Sequence, residues 1–244
     1  METFSYTVMP EAKRLPAIGL IVLQSDETIE QDFRRLFSPR VCDLYISRVP
    51  SGLEVTADTL VEMAQTLPTA VSLFPQSLAL DVVGYGCTSG SSVIGPDRVA
   101  ALVREGRPES HAVPAVTEPL SALIAACKMR GITRLALLSP YIEDVSAALR
   151  ARLSEVGIET PLFGSFNESE EAKVARIDEA SIVAAATALC EDRSSDFDGL
   201  FLSCTNLKAL DVLTPLEEKL GVPVMSSNSV LADHMGLLAG IKLV

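Results

Sequence analysis

The sequence predicts an α/β protein of two similar lobes, each a parallel sheet flanked by helices, related by a pseudo-twofold with a candidate active site between them. Three observations carry this. Short apolar runs alternate with helical patterns along the whole chain, which implies parallel sheets joined by right-handed crossovers. The second half repeats the first half's order of runs, turns and helices. Finally, 48% of the 244 residues are hydrophobic, yet only 5% are aromatic and none is Trp. A core of Ala, Leu, Val and Ile suits a buried parallel sheet under helices better than a β-sandwich.

In the first half, AIGLIVL (17–23) is a strand, followed by the polar turn 24–28 and a helical stretch to about residue 37. Residues 43–48 form a second strand and 58–67 a helix. A third strand at 80–84 leads into Cys87-Thr88-Ser89-Gly90-Ser91-Ser92. Residues 113–116 make a short fourth strand, and 118–130 a helix closed by Gly131. The second half follows suit. Strand 134–138 enters Ser139-Pro140-Tyr141 and a helix through Leu153; 157–163 is a strand and 178–190 a helix. GLFL (199–202) ends in Ser203-Cys204-Thr205-Asn206, and 222–225 enters the last helix.

Two segments suggest internal duplication. VPAVTEPLSALIAACKMRGI (113–132) and VPVMSSNSVLADHMGLLAGI (222–241) are equally long and place strand, polar turn and helix alike. The chain divides into an N-terminal lobe, 1–115, joined by the C-terminal helix 228–244, and a C-terminal lobe, 116–227. Ligands of parallel sheets bind beyond the carboxyl ends of the strands, where every small-polar cluster above falls.

The formal net charge is −12 without a basic tract, so nucleic acid is not an expected partner. No apolar segment approaches the length of a membrane span, and the N-terminus lacks a charged start followed by an apolar run. Five cysteines stand at 42, 87, 127, 190 and 204, with no C-x-x-C pair and no zinc-ligand spacing. A reducing, soluble, cytoplasmic setting without a zinc site is the economical expectation. A homo-oligomer formed through an Ala/Leu-rich helix such as 181–190 stays open, with core packing as the default.

Cys87 and Cys204 are the candidates to carry chemistry. Each follows a strand and is followed by small polar residues opening a helix or turn, where unpaired backbone N–H groups lower a thiol pKa and hold an oxyanion or carboxylate. A lone cysteine is more often structural, but recurrence at matching places in both halves argues against coincidence. Cys42, Cys127 and Cys190 sit among apolar neighbours and are expected to be core. Two thiols on opposite faces of a planar carbon divide base and acid duties, which suits racemisation and addition–rotation–elimination across a double bond equally. Ser25, Asp26, Ser139, Thr117, Ser226, Ser227 and Asn228 also stand at strand ends, where helix capping alone explains each. Tyr141, a poor cap, is favoured as a carboxylate donor. Asn167 lies in a loop-like stretch. His111 and His234 are expected to be structural or exposed.

GYGCTSGSSVIG (84–95), LLSPY (137–141), LFLSCTNL (200–207) and GVPVMSSN (221–228) resemble the aspartate/glutamate racemase superfamily, most of all its maleate cis–trans isomerase and arylmalonate decarboxylase branch. The resemblance implies two facing α/β lobes, no cofactor and a small dicarboxylate substrate. It implies Cys87 as the nucleophile forming a succinyl-cysteine, and Cys204 as the acid/base. Tyr141 and Asn167 would bind substrate, with Ser25 and main-chain N–H groups near Thr88, Ser89 and Thr205 completing the carboxylate pockets. One departure stands out: Asp26 follows Ser25 where the family has asparagine, and a carboxylate facing a dicarboxylate repels it unless protonated or turned away. This leaves open a two-base amino-acid or hydantoin racemase, an isomerase homologue associated with ectoine breakdown, and an arylmalonate-type decarboxylase. The last needs only the thiol matching Cys204.

Overall fold

A computed structural model describes the chain except residues 53–55, 109–111, 113, 192, 194–195 and 242–244. The first half contributes β1 (Ala17–Leu23), α1 (Ile29–Leu36), β2 (Asp43–Val49), α2 (Ala57–Ser72), β3 (Val82–Gly86), α3 (Thr88–Ile94), α4 (Pro96–Glu105), β4 (Ala115–Thr117) and α5 (Pro119–Arg130). The second contributes β5 (Arg134–Tyr141), α6 (Glu143–Glu155), β6 (Glu159–Glu168), α7 (Glu171–Val174), α8 (Glu179–Cys190), β7 (Gly199–Leu202), α9 (Leu213–Leu220), β8 (Val224–Ser226) and α10 (Ser227–Leu238). Every strand pairing is parallel. The sheets run β2-β1-β3-β4 and β6-β5-β7-β8, one topology used twice. Among the described residues no helix is long and apolar enough to cross a membrane.

β1, β3 and β7 are buried along their whole length, as uninterrupted apolar runs with helices on both faces demand. The helix following each sheet's last strand packs into the other half's core. In α5, Leu120, Leu123 and Cys127 join Leu135, Leu137 and Phe201 of the second sheet. In α10, Leu231, Ala232 and Met235 join Ile18, Leu20 and Val82 of the first. This exchange locks the lobes face to face and sets the strand ends opposite one another.

Several boundaries differ from the expected ones, each for a physical reason. α2 runs on past Pro68 to Ser72, because Leu67, Ala70 and Val71 stay buried against Val99, Leu102 and Val103 of α4. That packing outweighs one lost helix bond. β3 lies two residues later than expected, so Cys87 follows the strand immediately. β6 extends through Glu168, so Asn167 belongs to a strand and not to a loop. The short helices α4, α7 and α9 were not anticipated. Of the expected fourth strand 113–116, Val113 lies outside the described residues, and the strand begins at Ala115.

Candidate active site

Cys87 is the N-cap of α3, and its Sγ accepts the Gly90 N–H at 3.1 Å. Gly90 is required by space: a Cβ there would stand 2.9 Å from Cys87 Sγ and 2.6 Å from Tyr85 Oη. Ser91 and Ser92 turn their hydroxyls back onto the carbonyls of Cys87 and Thr88, so polar side chains in this buried turn are satisfied by their own backbone.

Cys204 follows β7 at φ 104°, a region that non-glycine residues seldom occupy and that tends to mark functional positions. Its N–H donates to Ser227 Oγ at 2.9 Å, and Ser227 Oγ also receives the Thr88 hydroxyl at 2.7 Å. One serine of α10 thus ties the two thiol turns together. Cys204 Sγ lies 3.0 Å from Tyr141 Oη and accepts the Asn206 N–H at 3.3 Å. Tyr141 Oη donates in turn to Glu171 Oε1 at 2.6 Å, and Asn206 Nδ2 donates to Glu171 Oε2 at 2.8 Å. The Asn206 amide is oriented by Glu27, whose N–H donates to its Oδ1 at 2.8 Å. Glu171, Tyr141 and Cys204 therefore form a buried hydrogen-bonded chain ending on the thiol.

Both thiols line one small cavity of about 20 Å³, with Ser25, Thr88, Ser89, Tyr141, Glu171 and Thr205 as polar walls and Leu23, Leu60 and Met63 as apolar ones. Among the described residues, no Lys, Arg or His lines the cavity. The environment acts against ionised sulfur. Burial pushes the Cys87 thiol up to about 12; the Gly90 N–H pulls it down, and the charge of Glu171 adds to the rise. Burial, then the charge of Glu171, holds Cys204 well above the ordinary thiol range, with the Tyr141 hydrogen bond opposing. The sequence expectation of a lowered Cys87 pKa is corrected here: one N–H donor does not offset complete desolvation beside an acidic group.

A sequence profile described as arylmalonate decarboxylase matches residues 50–241. The arylmalonate decarboxylase of Bordetella bronchiseptica is 31% identical over 217 residues, covering 87% of this chain and 86% of that protein.

The chain belongs to the arylmalonate decarboxylase family.

Relatives of this family member also include a maleate isomerase of Nocardia farcinica, 24% identical, with 86% of this chain and 84% of that protein covered. A solved structure of a Nocardia farcinica maleate cis–trans isomerase mutant with a covalently bound succinylcysteine intermediate superimposes with a TM-score of 0.82. It is 21% identical and covers 93% of this chain and 94% of that one. The two-lobed α/β fold read from the sequence is thus the fold of the family, and the resemblance drawn from the thiol motifs points to the same branch.

Of the residues selected from the sequence, the structure gathers Cys87, Cys204, Ser25, Thr88, Ser89, Tyr141 and Thr205 around the cavity of this family member. Asp26 stands behind it, 2% exposed. Its Oδ1 accepts the Thr28 and Ile29 N–H groups at 2.8 and 2.9 Å, so the carboxylate is turned towards the start of α1, a capping role. Asn167 is not brought to the cavity. It is exposed at φ 54° near the end of the edge strand β6, where its N–H donates to Ser165 Oγ. Ser226 caps α10 and Ser139 accepts the Ser146 hydroxyl. Thr117 Oγ1 and His234 Nδ1 are paired at 2.7 Å, a structural contact for that histidine. His111 lies outside the described residues. Cys42, Cys127 and Cys190 are buried and free.

Glu171 was missed. It sits in Glu168-Ser169-Glu170-Glu171, a run indistinguishable by composition from a solvated acidic surface. Asn206 was visible as the neighbour of Cys-Thr, and that adjacency was the available signal.

Proposed function

We propose that this protein is a cofactor-independent isomerase of a small carboxylate, with Cys87 as nucleophile and Cys204 as its acid/base partner. The observation that carries this reading is the meeting of two thiols, one from each lobe, in a single cavity. The family name alone would equally support decarboxylation. A decarboxylase, however, needs one acid to deliver a proton to the carbanion left by CO₂, and Cys87 would then have no task.

In the proposed reaction the Cys87 sulfur adds to one carbon of the double bond. The π electrons move to the neighbouring carbon, and the Cys204 S–H delivers a proton there. The carbon–carbon bond, now single, rotates. Cys204 thiolate then removes that proton and the carbon–sulfur bond breaks, regenerating the Cys87 thiolate. The cycle starts from the Cys87 thiolate, whose proton passes to solvent water before substrate fills the cavity. The Gly90 N–H is placed to stabilise the resulting anion. The Tyr141 hydroxyl, held by Glu171, keeps the Cys204 thiol directed into the cavity. The N–H groups of Thr88 and Ser89 would receive one substrate carboxylate.

The reading is tested by proton NMR in deuterated water with maleate, maleamate, amino acids, substituted hydantoins and phenylmalonate, alongside Cys87→Ser and Cys204→Ser. Cis–trans conversion abolished in both variants is the expected result. Deuterium entering at Cα of an amino acid or hydantoin would make the protein a two-base racemase. Loss of CO₂ from phenylmalonate that survives in Cys87→Ser would make it a decarboxylase.

A further inference from the structure

The two polar walls of the cavity offer opposite hydrogen-bonding character. On the second lobe's wall the side-chain hydroxyl and amide donors are already committed. The Tyr141 hydroxyl and the Asn206 amide both point at Glu171, one to each carboxylate oxygen, and the Glu27 N–H fixes the orientation of that amide. Glu171 is 3% exposed and lines the cavity. A carboxylate that accepts one bond at each oxygen keeps further lone pairs for a ligand. Burial pushes the Glu171 carboxyl up and the Tyr141 and Asn206 hydrogen bonds hold it down; this wall therefore presents acceptors and, with Glu171 ionised, negative charge.

Among the described lining residues nothing neutralises it. Arg48, on the neighbouring strand β2, spends its guanidinium on the carbonyls of Leu23, Gln24 and Asp26 and on Glu30. Behind the cavity Asp26 adds a second buried carboxyl, with Oδ2 lacking any partner. Its charge, like that of Glu171, raises both thiols. A dicarboxylate lying across this cavity would set its second carboxylate against Glu171 in a low-dielectric space, where like charges repel most. A substrate bearing an N–H group at that end would instead complete the hydrogen bonding of Glu171 and, if cationic, ease ionisation of the thiols.

We propose that the substrate is a small carboxylic acid whose second end carries an N–H donor, an ammonium or amide group, and that Glu171 is the residue that selects for that end. This deepens the reading of the cavity as a cysteine-dependent isomerase site and rests on it. Cys87 and Cys204 perform the chemistry; Glu171 decides which molecule is presented to them.

The test uses unreactive saturated ligands, so it does not depend on turnover. Apparent dissociation constants come from thermal-shift titrations with succinate, its half-amide succinamate, and 3-aminopropanoate, on the full chain and on Glu171→Gln. The wild-type protein is expected to bind succinamate or 3-aminopropanoate on the order of 10- to 100-fold more tightly than succinate, the span of one hydrogen bond to a charged group. Glu171→Gln is expected to bring the ratio near unity or reverse it, because the carboxamide offers its own donor to a carboxylate. A ratio is internal to each protein, so a general loss of stability does not move it. If Glu171→Gln does not fold, Tyr141→Phe, which strips one donor from Glu171, is expected to widen the wild-type ratio. Succinate binding as well as the others, a ratio unchanged in the variant, or no binding by any of the three would overturn the proposal. Failure of the isomerase reading is seen separately, as turnover that persists in Cys87→Ser.

Discussion

Replacing Gly90 by alanine puts one methyl group where the structure has no room for it. The new Cβ would be 2.9 Å from Cys87 Sγ and 2.6 Å from Tyr85 Oη, short of ordinary contact by about 0.5 and 0.8 Å. Tyr85 is fully buried and cannot swing aside, so the thiol must give way. Overpacking of this kind costs about 1–3 kcal/mol. For a chain of this size that lowers Tm by about 2–4 °C per kcal/mol, or roughly 2–12 °C. Activity should fall further than stability. Moving Sγ by half an ångström weakens the Gly90 N–H bond and misaligns the nucleophile, and misplacement on this scale costs about 10- to 100-fold in rate. Gly164→Ala is the control. Its Cβ would meet only Leu138 and Leu189 side chains at 3.4–3.5 Å, and Tm should stay within about 1 °C. Differential scanning fluorimetry and initial rates on both variants decide the matter. A Gly90→Ala protein with wild-type Tm and rate would show that the sulfur does not sit against Gly90.

Three further outcomes follow from the same site. Asp26→Asn should be more stable than wild type at pH 8 by about 1 kcal/mol, seen as a higher Tm. Burial raises the Asp26 pKa above its unfolded value, so the favourable contribution of its neutral form is complete below the unfolded pKa and is lost as pH rises through the folded one. The advantage of asparagine should therefore shrink towards pH 4, and an advantage that grew on acidification would contradict the burial argument. Cys87, with its thiol pushed up to about 12, should react with iodoacetamide at pH 8 on the order of 10²–10³-fold more slowly than a free thiol, with a rate still climbing above pH 10. Peptide mass spectrometry of the alkylated protein reads this directly, and a plateau near pH 9 would refute it. Tyr141→Phe removes the hydroxyl that holds the Cys204 thiol in place, so turnover should drop about 10- to 100-fold. Turnover at the wild-type rate would mean that Tyr141 does not position this thiol.

The sequence made the architecture legible because a buried parallel strand needs an uninterrupted apolar run, and β1, β5 and β7 have one. The repeated order of elements likewise foretold the repeated sheet topology. The thiol turns were legible because small polar residues after such a run have few other uses. Side-chain direction was not legible. Asp26 stands where the family's substrate-binding asparagine is expected, but the Thr28 and Ile29 N–H groups at the start of α1 claim its oxygen. Asn167 seemed to lie in a loop because Gly164, Ser165 and Asn167 favour turns, yet pairing of β6 with β5 carries the strand through to Glu168. Glu171 was hidden for the opposite reason. Its burial is created entirely by tertiary partners, Tyr141 from β5 and Asn206 beyond β7, which no local pattern in an acidic run announces.

The central claim, that Cys87 is the nucleophile and Cys204 its acid/base partner, is tested most directly by trapping the adduct. Cys204→Ser should be incubated with maleamate and, separately, with maleate, then quenched in acid and digested for peptide mass spectrometry. The account predicts a covalent adduct carrying the whole mass of the substrate on the Cys87 peptide, richer with maleamate, and none on Cys42, Cys127 or Cys190. Turnover by Cys204→Ser without any modified Cys87, or an adduct formed equally on the core cysteines, would contradict it.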